Sequence, residues 1–225
     1  MSLLAQHQAE RRARILAAAR RLIAARGFEG LTMRELARAS RVSVPTVYNL
    51  FGGKHAVLVA ELEETFAAVA RSLASAGGRS VVERAFAMCE AGNRDLLAVP
   101  AYTRELVRVF LVAEETRALR RRMHERYVAL MAGVLREGQA AGDVAAWADP
   151  ATVATRMFAH YVHAMIEWAE GDLDDDELVA ATELGMALML LGLARGGAAR
   201  ALAARAEASQ RAMTPRRRRR ARKGD

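Results

Sequence analysis

Between residues 43 and 49 the segment SVPTVYN sets two aliphatic hydroxyls, a phenol and a carboxamide on successive turns of a short helical pattern. Ser43, Thr46, Tyr48 and Asn49 can donate and accept hydrogen bonds, Val44 and Pro45 offer apolar contact to a thymine methyl, and Arg41 just upstream adds a phosphate-seeking charge. Such groups read the edges and backbone of a duplex; they supply no activated nucleophile. The chain has no Walker loop, no GxSxG, no HExxH and no paired-cysteine metal motif, so neither an enzyme nor a cofactor is expected. A second set, His160, His163 and Glu167, recurs at spacings of three and four and so shares one helix face. Zinc, nickel or iron would accept these ligand types, but three side chains are too few for a dependable site, and Cys89 falls in another helix. A pocket wall or dimer contact is the better reading of that face, and no metal is expected.

Two short helices must position the first set. Thr32 and Glu35 have the spacing of a capping box, the hydroxyl taking a free amide at the helix start and the carboxylate reaching back to the cap's own amide. Met33, Leu36 and Ala37 turn that helix's apolar side inward, and the pattern breaks at Ser40, Arg41 and Val42. Ser43 then offers a new hydroxyl cap, and Pro45 falls in a first turn, where its missing amide hydrogen costs nothing. Helices joined by so short a turn cross steeply, and the second presents its first turn outward, as entry into a major groove requires. Val42, Val47 and Phe51 are expected to pack inward.

The stretch from about Arg11 to Phe66 resembles the tetracycline-repressor (TetR) type of transcriptional regulator. The resemblance is carried by ILAAARRLIAARGFEGLTMRELA and by Tyr48, Phe51, Lys54 and Val57 at three-residue intervals. Arg41 stands where such regulators commonly have glycine, and Leu50 where they commonly have histidine. The resemblance implies that Thr32, Ser43, Tyr48 and Lys54 chiefly hold phosphates, which set register and carry little sequence information. It also implies an N-terminal DNA-binding domain followed by a helical chamber for a ligand.

Composition agrees with an all-α chain. Hydrophobic residues make up 52% and aromatics 5%, so Ala, Leu, Val and Met must build the core, and no alternating β-branched run occurs. Charge is unevenly spread: residues 1–71 hold 11 basic and 6 acidic side chains, 72–213 hold 16 and 19, and 214–225 hold 7 and 1. A polyanion suits the N-terminal part and has no electrostatic attraction to the middle. The single cysteine excludes an internal disulfide, and no signal-like segment opens the sequence, which together predict a cytosolic protein. The apolar run from residue 184 to 194 is too short to span a bilayer, which needs about 20 residues.

The periodicity predicts helix one over residues 8–26, ended by Gly27, and a fourth helix over 54–73 linking two halves as the mechanical transmitter. Further helices are expected at about 79–97, 100–111, 115–140, 149–170 and 174–195, with a short last one near 198–211. Asp149-Pro150 and the acidic cluster at residues 172–177 mark helix starts, the latter in preference to a calcium loop. The expected domains are residues 1–53 for DNA binding, 54–212 for ligand binding and dimerisation, and 213–225 as a basic disordered tail that adds a nonspecific hold on DNA.

By resemblance, the middle segment lines the chamber. Phe86, Met88, Tyr102, Phe110, Met123, Tyr127, Met131, Met157, Phe158, Tyr161, Met165 and Trp168 are expected to be mostly ordinary core, and Met with aromatics also makes an adaptable apolar lining for such a chamber. That lining suits a lipophilic effector, with Arg104, Glu105, His124, His160 and His163 as candidate polar anchors. Gly185 and Gly192 would allow close helix approach, and Leu188, Met189 and Leu191 would fill a dimer seam. The expected protein is a homodimeric repressor on a pseudo-palindromic double-stranded operator, with half-sites about 34–36 Å apart. The alternative is an architectural or regulatory DNA-binding protein without a small-molecule inducer, whose chamber would be filled by side chains.

Overall fold

The computed structural model describes residues 3–75 and 80–221, and the side chains within residues 5–75 and 80–213. Among the described residues ten α-helices follow one another: α1 Leu3–Arg26, α2 Met33–Ser40, α3 Val44–Phe51, α4 Lys54–Ser75, α5 Val81–Leu97, α6 Pro100–Val112, α7 Arg117–Ala140, α8 Pro150–Glu170, α9 Asp175–Leu191 and α10 Gly196–Ala221. A 3₁₀ turn, Glu114–Thr116, precedes α7. Among the described residues there is no strand, only an isolated bridge between Val144 and Ala194, and the all-α expectation holds. No helix among them is long and apolar enough to cross a membrane.

Two compact units form. The first comprises residues 1–68 and 99–121, the second residues 69–98 and 122–225. The sequence reading places the boundary at residue 53 and gives α6 to the C-terminal half; instead α6 packs against α1 in the first unit. A buried polar cluster accounts for this. Tyr102 of α6 donates to Glu61 Oε1 of α4 at 2.7 Å, and Arg20 Nε of α1 donates to the same oxygen at 2.6 Å. The Glu61 side chain is wholly buried, whereas Arg20 keeps contact with water. Ile15, Leu16, Ala18, Ala19 and Ile23 of α1, Leu58 and Leu62 of α4 and Leu106 of α6 are buried in the same unit. Burial pushes the Glu61 carboxyl above the ordinary glutamate value of 4.5, against the hydrogen bonds from Tyr102 and Arg20 that favour its charge. A raised folded-state value means that folding binds a proton above pH 4.5. The stability so contributed is present below 4.5 and lost as pH rises through the folded value. Glu61→Gln is therefore expected to flatten the fall in Tm between mildly acid and neutral pH; a parallel shift of the whole profile would contradict this origin.

In the second unit α9 is central, packed by α10, α8 and α5. Phe86 of α5, Met131 and Leu135 of α7 and Met157 of α8 are fully buried, and Leu202 of α10 joins the same core. Helix starts follow the sequence closely. Ser80 and Glu83 close a capping box on α5, Asp149 accepts from Thr152 N at 2.7 Å on α8, and Asp174 and Glu177 close a second box on α9. The acidic cluster thus serves a helix start.

The last helix is much longer than the sequence reading allows. Its backbone is helical to Ala221, into the segment expected to be disordered from residue 213. Arg and Ala are strong helix formers, and that propensity sustains the helix where charge repulsion alone suggests a coil. Residues 222–225 and the tail side chains expected to touch DNA lie outside the described residues.

Candidate nucleic-acid interface

The two short helices form as the caps dictate. Thr32 Oγ1 accepts from Glu35 N at 3.2 Å, while the Glu35 carboxylate accepts the Thr32 hydroxyl proton at 3.0 Å and pairs with Arg26. The box is therefore only half of what the spacing predicts, because Arg26 and the hydroxyl draw the carboxylate away from the cap's amide. The Thr32 hydrogen bond, aided by Arg26, holds the Glu35 carboxyl below its ordinary value. Ser43 Oγ accepts from Thr46 N at 3.3 Å and lies 2.7 Å from Thr46 Oγ1. Pro45 stands in the first turn of α3.

Arg41 closes α2 in the left-handed region, at φ 55° and ψ 48°. Its N–H reaches the Ala37 and Arg38 carbonyls, and Val42 N bonds Ala37 O at 3.0 Å. This ties up the carbonyls of the ending helix within three residues, so that α3 restarts at once. A non-glycine residue in that region carries strain of about 1 kcal/mol. Arg41→Gly is accordingly expected to raise Tm slightly while weakening DNA binding and lowering the salt slope by about 0.9 for the one phosphate charge removed. A lower Tm or an unchanged slope would count against these two roles.

Val47 and Phe51 are buried and fix α3 on its inner side. Tyr48, 49% exposed, stands out with Ser43, Pro45 and Asn49 on the open side; Val44 and Thr46 are half-buried between them. Six candidates, Ser43 to Thr46 with Tyr48 and Asn49, thus lie on one short helix and its cap. Lys54 lies differently. Its ammonium sits 4.4 Å from the centre of the Phe28 ring and 3.3 Å from the Glu29 carbonyl oxygen, with the side chain 24% exposed. In this arrangement it braces the loop between α1 and α2.

The expected chamber residues do not come together as one set. Tyr102 and Phe110 belong to the first unit, where Tyr102 holds Glu61 and Phe110 packs on Phe66 with ring centroids 4.9 Å apart. Arg104 lies on the same helix α6. Composition could not separate them from the rest, because Met and aromatics serve core and chamber alike. In the second unit Phe86, Met88 and Met131 are core, and Met165 is buried. His124, Tyr127 and Phe158 form a run of ring contacts at 5.2 and 5.1 Å, with Met123 half-buried on the same helix α7.

His160 Nε2 donates to the Ala181 carbonyl at 3.1 Å, and a Cβ on Gly185 would lie 1.9 Å from that nitrogen. Gly185, expected in a dimer seam, thus admits the His160 ring between α8 and α9 of its own chain. Leu188 is exposed at 55%, Met189 half-buried and Gly192 exposed. His163 stands 3.9 Å from Glu167, and no group of three such side chains among the described residues could hold a metal ion. The sequence reading missed the Arg20–Glu61 pair and a polar thread through α5, α8 and α9. In that thread Asn93 Nδ2 donates to Thr182 Oγ1 at 2.9 Å, and Tyr161 Oη donates to Asn93 Oδ1 at 3.2 Å.

Residues 15–60 match the family of bacterial regulatory proteins described as the tetR family. The HTH-type transcriptional repressor KstR of Rhodococcus jostii (strain RHA1) is 32% identical over 111 residues, 49% of this chain and 52% of that one. The chain therefore spans about half the length of this curated relative. Among solved structures, SmeT, the repressor of the Stenotrophomonas maltophilia multidrug efflux pump SmeDEF, is 18% identical with TM-score 0.67, over 83% of this chain and 92% of its own. FadR from Bacillus subtilis, in complex with stearoyl-CoA, is 19% identical with TM-score 0.66, over 79% and 97%. At such identities these two likenesses describe the fold.

Proposed function

We infer that this chain, which belongs to the tetR family of bacterial regulatory proteins, is a ligand-responsive transcriptional repressor that binds a pseudo-palindromic operator as a homodimer. One observation carries the DNA-binding part: a capped, proline-started helix whose outer side presents Ser43, Pro45, Tyr48 and Asn49 and whose inner side is fixed by Val47 and Phe51. Hydrogen-bonding groups on the first turns of such a helix fit a major groove, and neighbouring hydroxyls fit its phosphates. The likeness to a repressor and to a transcriptional regulator solved in complex with stearoyl-CoA supports a lipophilic effector. Exposed Leu188 and half-buried Met189 on α9 support a dimer seam. An effector that prefers the conformation with misplaced recognition helices would weaken operator binding by that preference, commonly about 1–3 kcal/mol.

Selection of bound sequences from random duplex DNA, with full-length protein near physiological salt, tests the reading. The expected outcome is a pseudo-palindrome with regular half-site spacing. Unrelated sequences bound with steep salt dependence would leave only backbone attraction and remove the repressor. One observation favours a regulator without an inducer: Phe86, Met88, Met131 and Met157, which could have lined a chamber, fill a core instead.

A further inference from the structure

Lys54 and Glu29 form an ion pair at the edge of the two short helices. Lys54 opens α4 after Gly52 and Gly53, and its ammonium lies 3.4 Å from Glu29 Oε2 and 3.3 Å from the Glu29 carbonyl oxygen. The Phe28 ring stands 4.4 Å from that ammonium; Phe28 is buried, and the His55 ring meets it at 5.5 Å. Lys54, 24% exposed, is thus fixed against a rigid platform. Glu29 is held far more loosely. Its side chain is 95% exposed, and the separation exceeds the about 2.7–2.9 Å of a firm ammonium–carboxylate bond. So exposed a pair contributes little to folding. Its position carries more weight, because it joins the loop leading into α2 to the residue that follows α3. In a helix-turn-helix the first helix crosses the duplex backbone while the second enters the groove, so an ammonium at that edge lies beside phosphates. Glu29 occupies the place that a phosphate oxygen would take.

We propose that Glu29 competes with DNA phosphate for Lys54: its carboxylate holds the ammonium in the free protein and is displaced when a duplex docks. This rests on the DNA-binding reading above. Phosphate wins the exchange because a duplex crowds its charges and releases condensed counterions on being neutralised, which an isolated carboxylate does not. The exchange still has a cost, since the pair is given up and the freed carboxylate stands against the phosphates. Glu29 therefore tempers the grip on the backbone, and because phosphates recur on every duplex, it does so without regard to sequence. In a segment that holds 11 basic and 6 acidic side chains over residues 1–71, such a restraint limits retention on unrelated DNA.

Fluorescence-anisotropy titration of the full-length protein, on the selected operator and on an unrelated duplex of equal length across a salt series, tests the exchange. Glu29→Gln is expected to tighten both complexes about two- to fivefold near physiological salt, the range that an exposed ion pair spans. It should also steepen the salt slope, by less than the roughly 0.9 of a whole phosphate contact. Lys54→Gln should weaken binding, and in that background Glu29→Gln should gain little, because the competition has lost its object. The Tm of free Glu29→Gln should stay near that of wild type, since the new carboxamide is exposed and the Lys54 bond to the residue 29 carbonyl remains. A Tm several degrees lower would make Glu29 a structural brace and overturn the proposal. Equal tightening in the two backgrounds would mean that Glu29 repels DNA at a distance without competing for Lys54, and would overturn it as well. So would unchanged or weaker binding by Glu29→Gln. If no operator can be selected, the unrelated duplex still reads the exchange while the repressor falls; a selected operator bound alike by wild type and Glu29→Gln leaves the repressor and removes the exchange.

Discussion

Changing Thr46 and Tyr48 together to Ala is expected to lower affinity for the selected operator by at least about a hundredfold, with the fold intact. Each side chain stands to lose a base or phosphate hydrogen bond worth about 1–3 kcal/mol, and two such losses at separate contacts add roughly. Folding should barely notice. The Thr46 amide remains capped by Ser43 Oγ, because that bond uses Thr46 backbone. Ala is a better helix former than either residue it replaces, and Tyr48 is 49% exposed, so its truncation leaves no cavity. Only the Ser43–Thr46 hydroxyl contact is lost. Neither side chain carries charge, so the salt slope should stay as in wild type while the absolute affinity drops. This contrasts with Arg41→Gly, where the slope itself should fall. Gel-shift or fluorescence-anisotropy titration at several salt concentrations, with thermal melts of the free protein, measures both. Wild-type affinity in the double variant would mean that α3 does not enter the groove, and a collapsed Tm would mean that its outer face was packing after all.

The readable parts of this chain were those set by neighbours in sequence. Caps at Thr32, Ser43, Ser80, Asp149 and Asp174 act through amides two or three residues away, so helix starts could be placed closely. Arg41, at a position where such regulators commonly have glycine, takes up the left-handed backbone itself. What could not be read depends on distant partners. Nothing near Tyr102 says that its hydroxyl meets Glu61, 41 residues earlier, and so the packing of α6 in the first unit could not be read. The resemblance implies a phosphate for Lys54, and its partners without DNA, Phe28 and Glu29, lie some 25 residues away in sequence. Gly185 looked like a small residue for helix approach between chains. Only the position of His160, 25 residues earlier, shows what occupies the space within its own chain. Asn93 gave a faint signal, a carboxamide within the apolar run of α5, and its role became visible only with Thr182 and Tyr161 around it.

Trp168→Ala is expected to be the most damaging single change in the second unit. The indole is fully buried near the end of α8, and its Nε1 donates to Asp175 Oδ1 at 2.8 Å in the first turn of α9. It therefore spans the turn that Gly171, at φ 93°, opens and that the Asp174–Glu177 box closes. Removing a buried Trp costs about 3–5 kcal/mol through lost burial and the cavity left behind, which for a chain of this size means a Tm lower by about ten degrees or more. Trp168→Phe separates the two contributions. It retains most of the apolar volume and gives up the hydrogen bond, and because Asp175 is only half-buried and can turn to water, about 1–2 kcal/mol is expected. Similar losses in the two variants would shift the weight from packing to the Asp175 bond. Function provides the sharper reading. If α8 and α9 furnish the dimer seam, slackening the turn between them should weaken dimerisation and steepen the dependence of operator binding on protein concentration, so the Ala variant should show weaker binding that recovers at high protein concentration. A variant that melts early yet binds operator with unchanged concentration dependence would detach dimerisation from this helix pair and direct the search for the seam to other surfaces of the second unit.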